Sequence, residues 1–160
     1  MDFLNKYKRH WIERSIVDIT LQYYDFDGEI CEGILQVNKN IEDQTREVFQ
    51  RLFDIKFPIN KISPSFGRSD RDIIIANHTT SYNFRTVLGK NTLSNHAYGV
   101  AIDLNPKNNP ASPSKMSEIY DESIEQGKIT PEIIKIFKDE GFEWGGEIFG
   151  NFKDNHHFEI

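Results

Sequence analysis

The stretch Ser94-Asn95-His96-Ala97-Tyr98-Gly99-Val100-Ala101-Ile102-Asp103-Leu104 decides the reading of this chain. Small residues and a glycine flank an imidazole, and an apolar run then carries a single aspartate. The run predicts a strand over Tyr98–Leu104, where successive side chains alternate between faces, so Ala101 and Asp103 share one face. A carboxylate on an otherwise buried strand is costly unless a divalent cation or a hydrogen-bond cluster compensates it. On spacing alone a second role is equally open to Asp103, as a cap for the turn at Asn105-Pro106.

Asp154-Asn155-His156-His157-Phe158-Glu159 tips that balance, because it supplies further imidazoles and carboxylates in one short segment. A strand beginning near His156 puts His157 and Glu159 on one face and His156 and Phe158 on the other. Only one of the adjacent histidines then faces a metal with Glu159 beside it. Two neutral imidazoles and one carboxylate are a common ligand set for catalytic zinc, which keeps a fourth position for water. An attacking water also gains from a general base, which Asp154 or Glu159 could supply; Glu159 could instead orient a ligand imidazole. The bland alternative holds for each of His10, His78, His96, His156 and His157 singly: a packed or exposed side chain, lifted only by its surroundings.

Outward from these segments, the order reads as mixed α+β. Ser15–Tyr24 and Glu29–Val37 are rich in β-branched and aromatic residues, and Asp25-Phe26-Asp27-Gly28 between them favours a hairpin reversal. Apolar residues at Ile41, Val48, Phe49, Leu52 and Phe53 predict an amphipathic helix stopped before Pro58. Ser69-Asp70-Arg71-Asp72 precedes Ile73-Ile74-Ile75-Ala76, which fits a short helix or a buried strand equally well. Asn83–Leu88 reads as another strand, linked to Tyr98–Leu104 through Gly89-Lys90-Asn91-Thr92, and Pro106–Ser114 as a loop. Thr130-Pro131-Glu132 signals a helix start with a hydroxyl cap; Ile133, Ile134, Ile136 and Phe137 face its core, Gly141 closes it, and Gly145-Gly146 permits a tight bend. There is no internal repeat and no low-complexity tract.

With 160 residues the chain is expected to form one domain, with residues 1–14 a candidate N-terminal helical extension. The net charge of -6 and the absence of a basic stripe argue against a nucleic-acid partner. Cys31 is the single cysteine, so an intramolecular disulfide and an all-thiolate metal site are excluded. No apolar run is long enough to span a membrane, and Met1-Asp2-Phe3-Leu4-Asn5-Lys6 lacks the apolar core of a signal peptide, which leaves the export route open.

The motifs resemble those of the zinc D-alanyl-D-alanine carboxypeptidases and L-alanyl-D-glutamate endopeptidases, a VanY-like family that includes phage endolysins. Its Ser-x-His-x-x-Gly-x-Ala-x-Asp signature is met by Ser94, His96, Gly99, Ala101 and Asp103, and its Asp-x-x-His motif by Asp154 and His157, preceded by Trp144-Gly145-Gly146. Asn77-His78-Thr79-Thr80-Ser81-Tyr82-Asn83-Phe84-Arg85 looks like its Asn-x-Thr-Ser-x-Phe-Asn-x-Arg segment, with Tyr82 in place of the usual Phe. The aromatic that often follows Gly-Gly is displaced here to Phe149, and both departures bear on the substrate pocket. The resemblance spans roughly Tyr24 to Ile160.

It implies a small antiparallel sheet flanked by helices, hedgehog/D-Ala-D-Ala-peptidase-like, with a Zn2+ site on the sheet. His96, Asp103 and His157 would be the metal ligands, Asp154 the general base, and Arg85 the group that binds the substrate carbonyl or carboxylate and stabilises the oxyanion. Ser94 and Tyr82 would belong to the substrate-binding surroundings. The implied substrates are peptidoglycan stem peptides, cut by a monomer at the cell envelope or outside the cell, or after lysis if the protein is phage-derived; the D-Ala-D-Ala carboxypeptidase type is slightly favoured. The alternatives are a non-catalytic zinc-containing domain that binds wall peptides, and a metal-free structural domain.

Overall fold

A computed structural model describes residues 3–160, with side chains from residue 8 onward. A helix α1 (Phe3–Glu13) leads into a hairpin of β1 (Ile16–Tyr24) and β2 (Ile30–Asn38), paired antiparallel from Ile16↔Asn38 to Tyr24↔Ile30. The reversal is set by Asp25, whose Oδ1 accepts hydrogen bonds from the Asp27 and Glu29 amides, while Gly28 adopts φ 81°. Period-two burial of Ile19, Leu21 and Tyr23 on β1, and of Leu35 and Val37 on β2, gives the hairpin one apolar face.

A 3-10 turn (Lys39–Ile41) opens α2 (Glu42–Asp54), which lays Val48, Phe49 and Leu52 on that face. The Ile73–Ala76 segment is a helix: α3 (Asp70–Ala76) is capped by Ser69, whose side chain accepts from the Asp72 amide, and it ends at Asn77 in the left-handed region, φ 52°. Farther along come β3 (Ala101–Asp103), β4 (Ala111–Ser112), α4 (Pro131–Asp139), β5 (Glu143–Trp144), α5 (Gly145–Ile148), β6 (Lys153–Asp154) and β7 (His157–Glu159). The short strands form a three-stranded antiparallel sheet, β3-β7-β5, and a two-stranded pair, β4-β6. On α4, Phe137 stacks on Phe158 of β7 at 3.7 Å between ring centroids, so one apolar cluster runs from the hairpin through α2 and α4 to the underside of the β3-β7-β5 sheet. Each such fully buried ring contributes roughly 1.5–3 kcal/mol relative to an exposed one. The fold is α+β, small antiparallel sheets with helices against them.

Several local expectations change. Asn83–Leu88 is not a strand; its one ladder-like contact is the Thr86↔Leu93 bridge, because the Asn83 amide donates to the His96 carbonyl instead. The strand expected over Tyr98–Leu104 shrinks to Ala101–Asp103, since residues 95–98 form a 3-10 turn and Gly99 turns left-handed, φ 67°. A β-carbon on Gly99 would meet the Asn38 amide nitrogen at 2.8 Å, so this glycine lets the site segment dock against the end of β2. The Pro106–Ser114 loop contains β4. Thr130 occupies the N-cap of α4 without a side-chain cap; its backbone carbonyl accepts from the Ile134 amide. Gly145 and Gly146 start α5 rather than a bend, and their need for glycine is steric: a β-carbon on Gly146 would collide with the Trp144 ring, and one on Gly145 would meet the Asp154 carbonyl at 2.5 Å.

Candidate metal centre

Three side chains converge on one point above the β3-β7 pair. Asp103 and His157 are direct cross-strand partners, which puts their side chains on the same face at the closest approach antiparallel strands allow. His96 comes from the 3-10 turn before β3, held because Ser94 caps that turn and accepts from the His96 amide at 3.3 Å. His96 Nε2, Asp103 Oδ1 and His157 Nδ1 form a triangle with sides of 3.1, 3.1 and 3.2 Å. Both imidazoles are buried and Asp103 is 15% exposed. Register thus selects His157 over its neighbour, as strand alternation required.

The outer contacts fix which ring nitrogens carry protons. His96 Nδ1 lies 2.7 Å from the Ser81 carbonyl, which can only accept, so the His96 lone pair in a neutral ring is on Nε2 and points at the triangle. His157 Nε2 donates to Glu159 Oε2 at 2.8 Å, which leaves Nδ1 for the triangle in the same way. Three lone-pair atoms aimed at one another repel unless a cation sits among them, and this donor set therefore fits a divalent metal. The electrostatics agree. Burial alone would lower the His157 pKa, but its bonds to Asp103 and Glu159 outweigh burial and push it up to about 10. Burial alone would raise Asp103, yet nearby His96 and His156 and the bond to His157 hold it well below the usual carboxylate range. A centre that draws a proton this strongly offers the same lone pairs to a metal cation.

Around the triangle the expected residues divide. Asp154 lies beside it: a β-carbon on Gly145 would sit 3.0 Å from the β-carbons of both Asp154 and His157. Asp154 Oδ1 is buried without a hydrogen bond; His156 Nε2 is 3.1 Å away but misaligned. Ser94 is spent on positioning His96. Tyr82 is buried and its hydroxyl donates to Glu13 of α1 at 3.1 Å; burial, then Glu13, pushes its pKa up to about 12. The substrate-facing role suggested for Tyr82 therefore has no free hydroxyl behind it. Arg85 is joined to the site through its backbone, its carbonyl accepting from the Ser94 amide at 3.0 Å. Its guanidinium, 28% exposed, lies 2.6 Å from Asp70 of α3, again without an aligned hydrogen bond from Nε.

Some participants were hidden from sequence reasoning. The segment Asn77–Arg85 acts on the centre through its backbone: Thr80 exchanges two amide bonds with Asp103, and Ser81 orients His96 through its carbonyl. Tyr120 feels both Asp154 and Asp103, and burial pushes its pKa up. Phe149 places its ring 5.7 Å from that of His157 while staying 39% exposed, the only trace of which in the sequence is its displaced position after Gly145-Gly146.

His96, Asp103 and His157 thus form a buried two-histidine, one-aspartate group that could hold a metal ion, with the Asp154 carboxylate beside it. Residues 88–160 match the family described as D-alanyl-D-alanine carboxypeptidase, which bears out the family resemblance of the motifs and supports a peptidase. The matched region holds all three triangle residues and Asp154, whereas Asn77–Arg85 lies before it. No solved structure matches the chain.

Proposed function

We propose that the chain is a zinc-dependent peptidoglycan peptidase that hydrolyses stem-peptide bonds as a single-domain monomer at the cell envelope or outside the cell, with a preference for the D-Ala-D-Ala carboxypeptidase type over L-Ala-D-Glu cleavage. The observation that carries this reading is the closed triangle of His96, Asp103 and His157. Tetrahedral zinc with bonds of about 2.0–2.1 Å spaces its ligand atoms about 3.3–3.4 Å apart, so the three side chains need to open by only a few tenths of an ångström. Bound there, zinc supplies a Lewis acid that lowers the pKa of a water toward ~7 and polarises the scissile carbonyl.

The rest of the chemistry falls to the chain. Asp154, whose buried Oδ1 lacks a hydrogen bond, takes the proton of the attacking water and returns it to the leaving amine. Arg85 exchanges Asp70 for the substrate carboxylate or carbonyl, a change favoured by its misaligned, partly exposed pairing. The family match and the centre's retention of a carboxylate beside the ligands both speak for turnover rather than binding alone. Incubation of the purified protein with defined muropeptides, read by mass spectrometry, tests this: the wild type should release D-Ala or cleave the stem, and Asp154→Asn should lose roughly 10²–10⁴ in rate with unchanged zinc content. Stoichiometric zinc in a wild type inert on every stem peptide would identify a non-catalytic wall-peptide-binding domain instead.

A further inference from the structure

We propose that Arg68 and His78 form a subsite for a second carboxylate of the substrate, remote from the bond that is cut; this rests on the reading of the chain as a stem-peptide peptidase. The β3-β7 pairing is extended on the far side of β3 by single bridges. Thr80 bridges antiparallel to Asp103, and Ile62 bridges parallel to Thr79. Bridged residues share a face, so Ile62 joins Ile102 and Phe158 in the core, while Ser63 and Thr80 join Asp103 and His157 on the face that carries the triangle. Ser63, whose amide donates to the Thr79 carbonyl, stands two strand spacings from Asp103, about 10 Å, the span of about three extended residues.

His78 and Arg68 meet at Ser63. His78 Nδ1 lies 3.1 Å from Ser63 Oγ and accepts from Arg68 Nη2 at 2.9 Å; a guanidinium only donates, so the neutral ring carries its proton on Nε2. Burial, then Arg68 and Lys61, lower the His78 pKa and keep the ring in that form. Arg68 Nη2 also reaches Ser63 Oγ and the Pro64 carbonyl, both at 3.3 Å, and Nε donates to the Ser65 carbonyl at 3.0 Å. All of these partners are neutral. Every other arginine pairs with a carboxylate or, for Arg14, lies over the Trp11 ring, whereas half-buried Arg68 has no anionic partner among the described residues. A permanently charged group held only by neutral acceptors leaves its charge unanswered, here in a chain with a net charge of -6. Two donors stay free, Arg68 Nη1 and His78 Nε2; neither has a hydrogen-bond partner and neither is sealed from solvent. Together they suit the two oxygens of one carboxylate. The backbone accepts strain to present them. Phe66, φ 53°, and Gly67, φ 69°, fold the chain back so that the Arg68 amide donates to the Ser65 carbonyl, and Asn83 Nδ2 pins the Arg68 carbonyl at 3.0 Å.

The test uses synthetic stem peptides made in pairs that differ only in a side-chain carboxylate or carboxamide, placed about three residues to either side of the bond. Calorimetry on the zinc-loaded Asp154→Asn protein reads binding without turnover. On one side of the bond the carboxylate peptide should bind about 10-fold more tightly than its carboxamide twin. Arg68→Gln added to that background should erase the difference by weakening the carboxylate peptide alone. In ¹⁵N-histidine-labelled protein, the His78 Nε2 resonance should move with the carboxylate peptide and stay in place with the carboxamide. With Asp154 intact, Arg68→Gln should raise KM for the carboxylate peptide by a similar factor and leave kcat unchanged. Equal binding of both twins on both sides of the bond would overturn the subsite without recourse to any variant. A loss in Arg68→Gln shared equally by the twins would reduce Arg68 to a clamp on its own loop. Selective binding of the carboxylate peptide by a wild type that cuts no peptide would remove the peptidase reading and leave the subsite standing.

Discussion

Glu159→Gln isolates a single feature of the centre, the negative charge behind one ligand. Glu159 Oε2 receives the His157 Nε2 proton at 2.8 Å, within the range of charge-assisted bonds, and the bond to His157 holds the Glu159 pKa below its ordinary value. The side chain is 19% exposed, so solvent screens the pair only in part. Glutamine keeps the shape and one acceptor oxygen, and His157 keeps its ring orientation, but Nδ1 loses basicity. Partners of this kind are worth roughly 10- to 100-fold in metal affinity, or about 1.4–2.7 kcal/mol. Competition with a chromophoric chelator should show the zinc Kd raised by that factor, and the thermal stabilisation conferred by zinc should shrink in parallel. An unchanged Kd would refute the orienting role. Complete loss of zinc binding would refute it from the other side, by making Glu159 a ligand.

Asp103→Asn should abolish stoichiometric zinc, read by metal analysis after dialysis, because it removes the anionic corner of the triangle; full zinc content would take Asp103 out of the ligand set. Tyr82→Phe should delete a phenol titration step near pH 12 from the ultraviolet difference spectrum. Since the folded pKa lies above the unfolded value of about 10, the neutral phenol's contribution to stability is complete below pH ~10 and is lost as pH rises toward 12; a deleted step near pH 10 would contradict the burial. Gly145→Ala should destabilise the chain by about 1–3 kcal/mol in denaturant melts, because the new methyl meets the Asp154 carbonyl, and a neutral result would show that β6 yields at no cost.

What the sequence made legible was whatever depends on a local pattern. The hairpin was readable because Asp25 and Gly28 carry the chemistry of its turn, and α2 because its apolar spacing is helical. His96 and Asp103 were readable from their motif, and strand alternation chose His157 once β7 began where expected. Failures came where distant groups decide. Asn83–Leu88 has strand-forming residues, but its first amide, that of Asn83, donates to the His96 carbonyl in the 3-10 turn. Gly99 delayed the start of the expected strand, because its left-handed turn docks against the end of β2, where there is no room for a β-carbon. The acceptors that orient the imidazoles, the carbonyls of Ser81 and Asn109, are backbone atoms with no side-chain signature. Asp70, the partner of Arg85, was visible only as a helix-capping acid.

The strand order β3-β7-β5 also bears on how the molecule assembles. The middle strand follows both of its neighbours in sequence, so β3 and β5 have no partner in this sheet until β7 inserts between them. That insertion closes a loop of more than fifty residues between Asp103 and His157, a slow, entropically opposed event. It also brings His157 to His96 and Asp103. If these three residues hold zinc as proposed, zinc capture and completion of the sheet would be one step, and the rate at which a refolding chain takes up metal would time the arrival of its last strand.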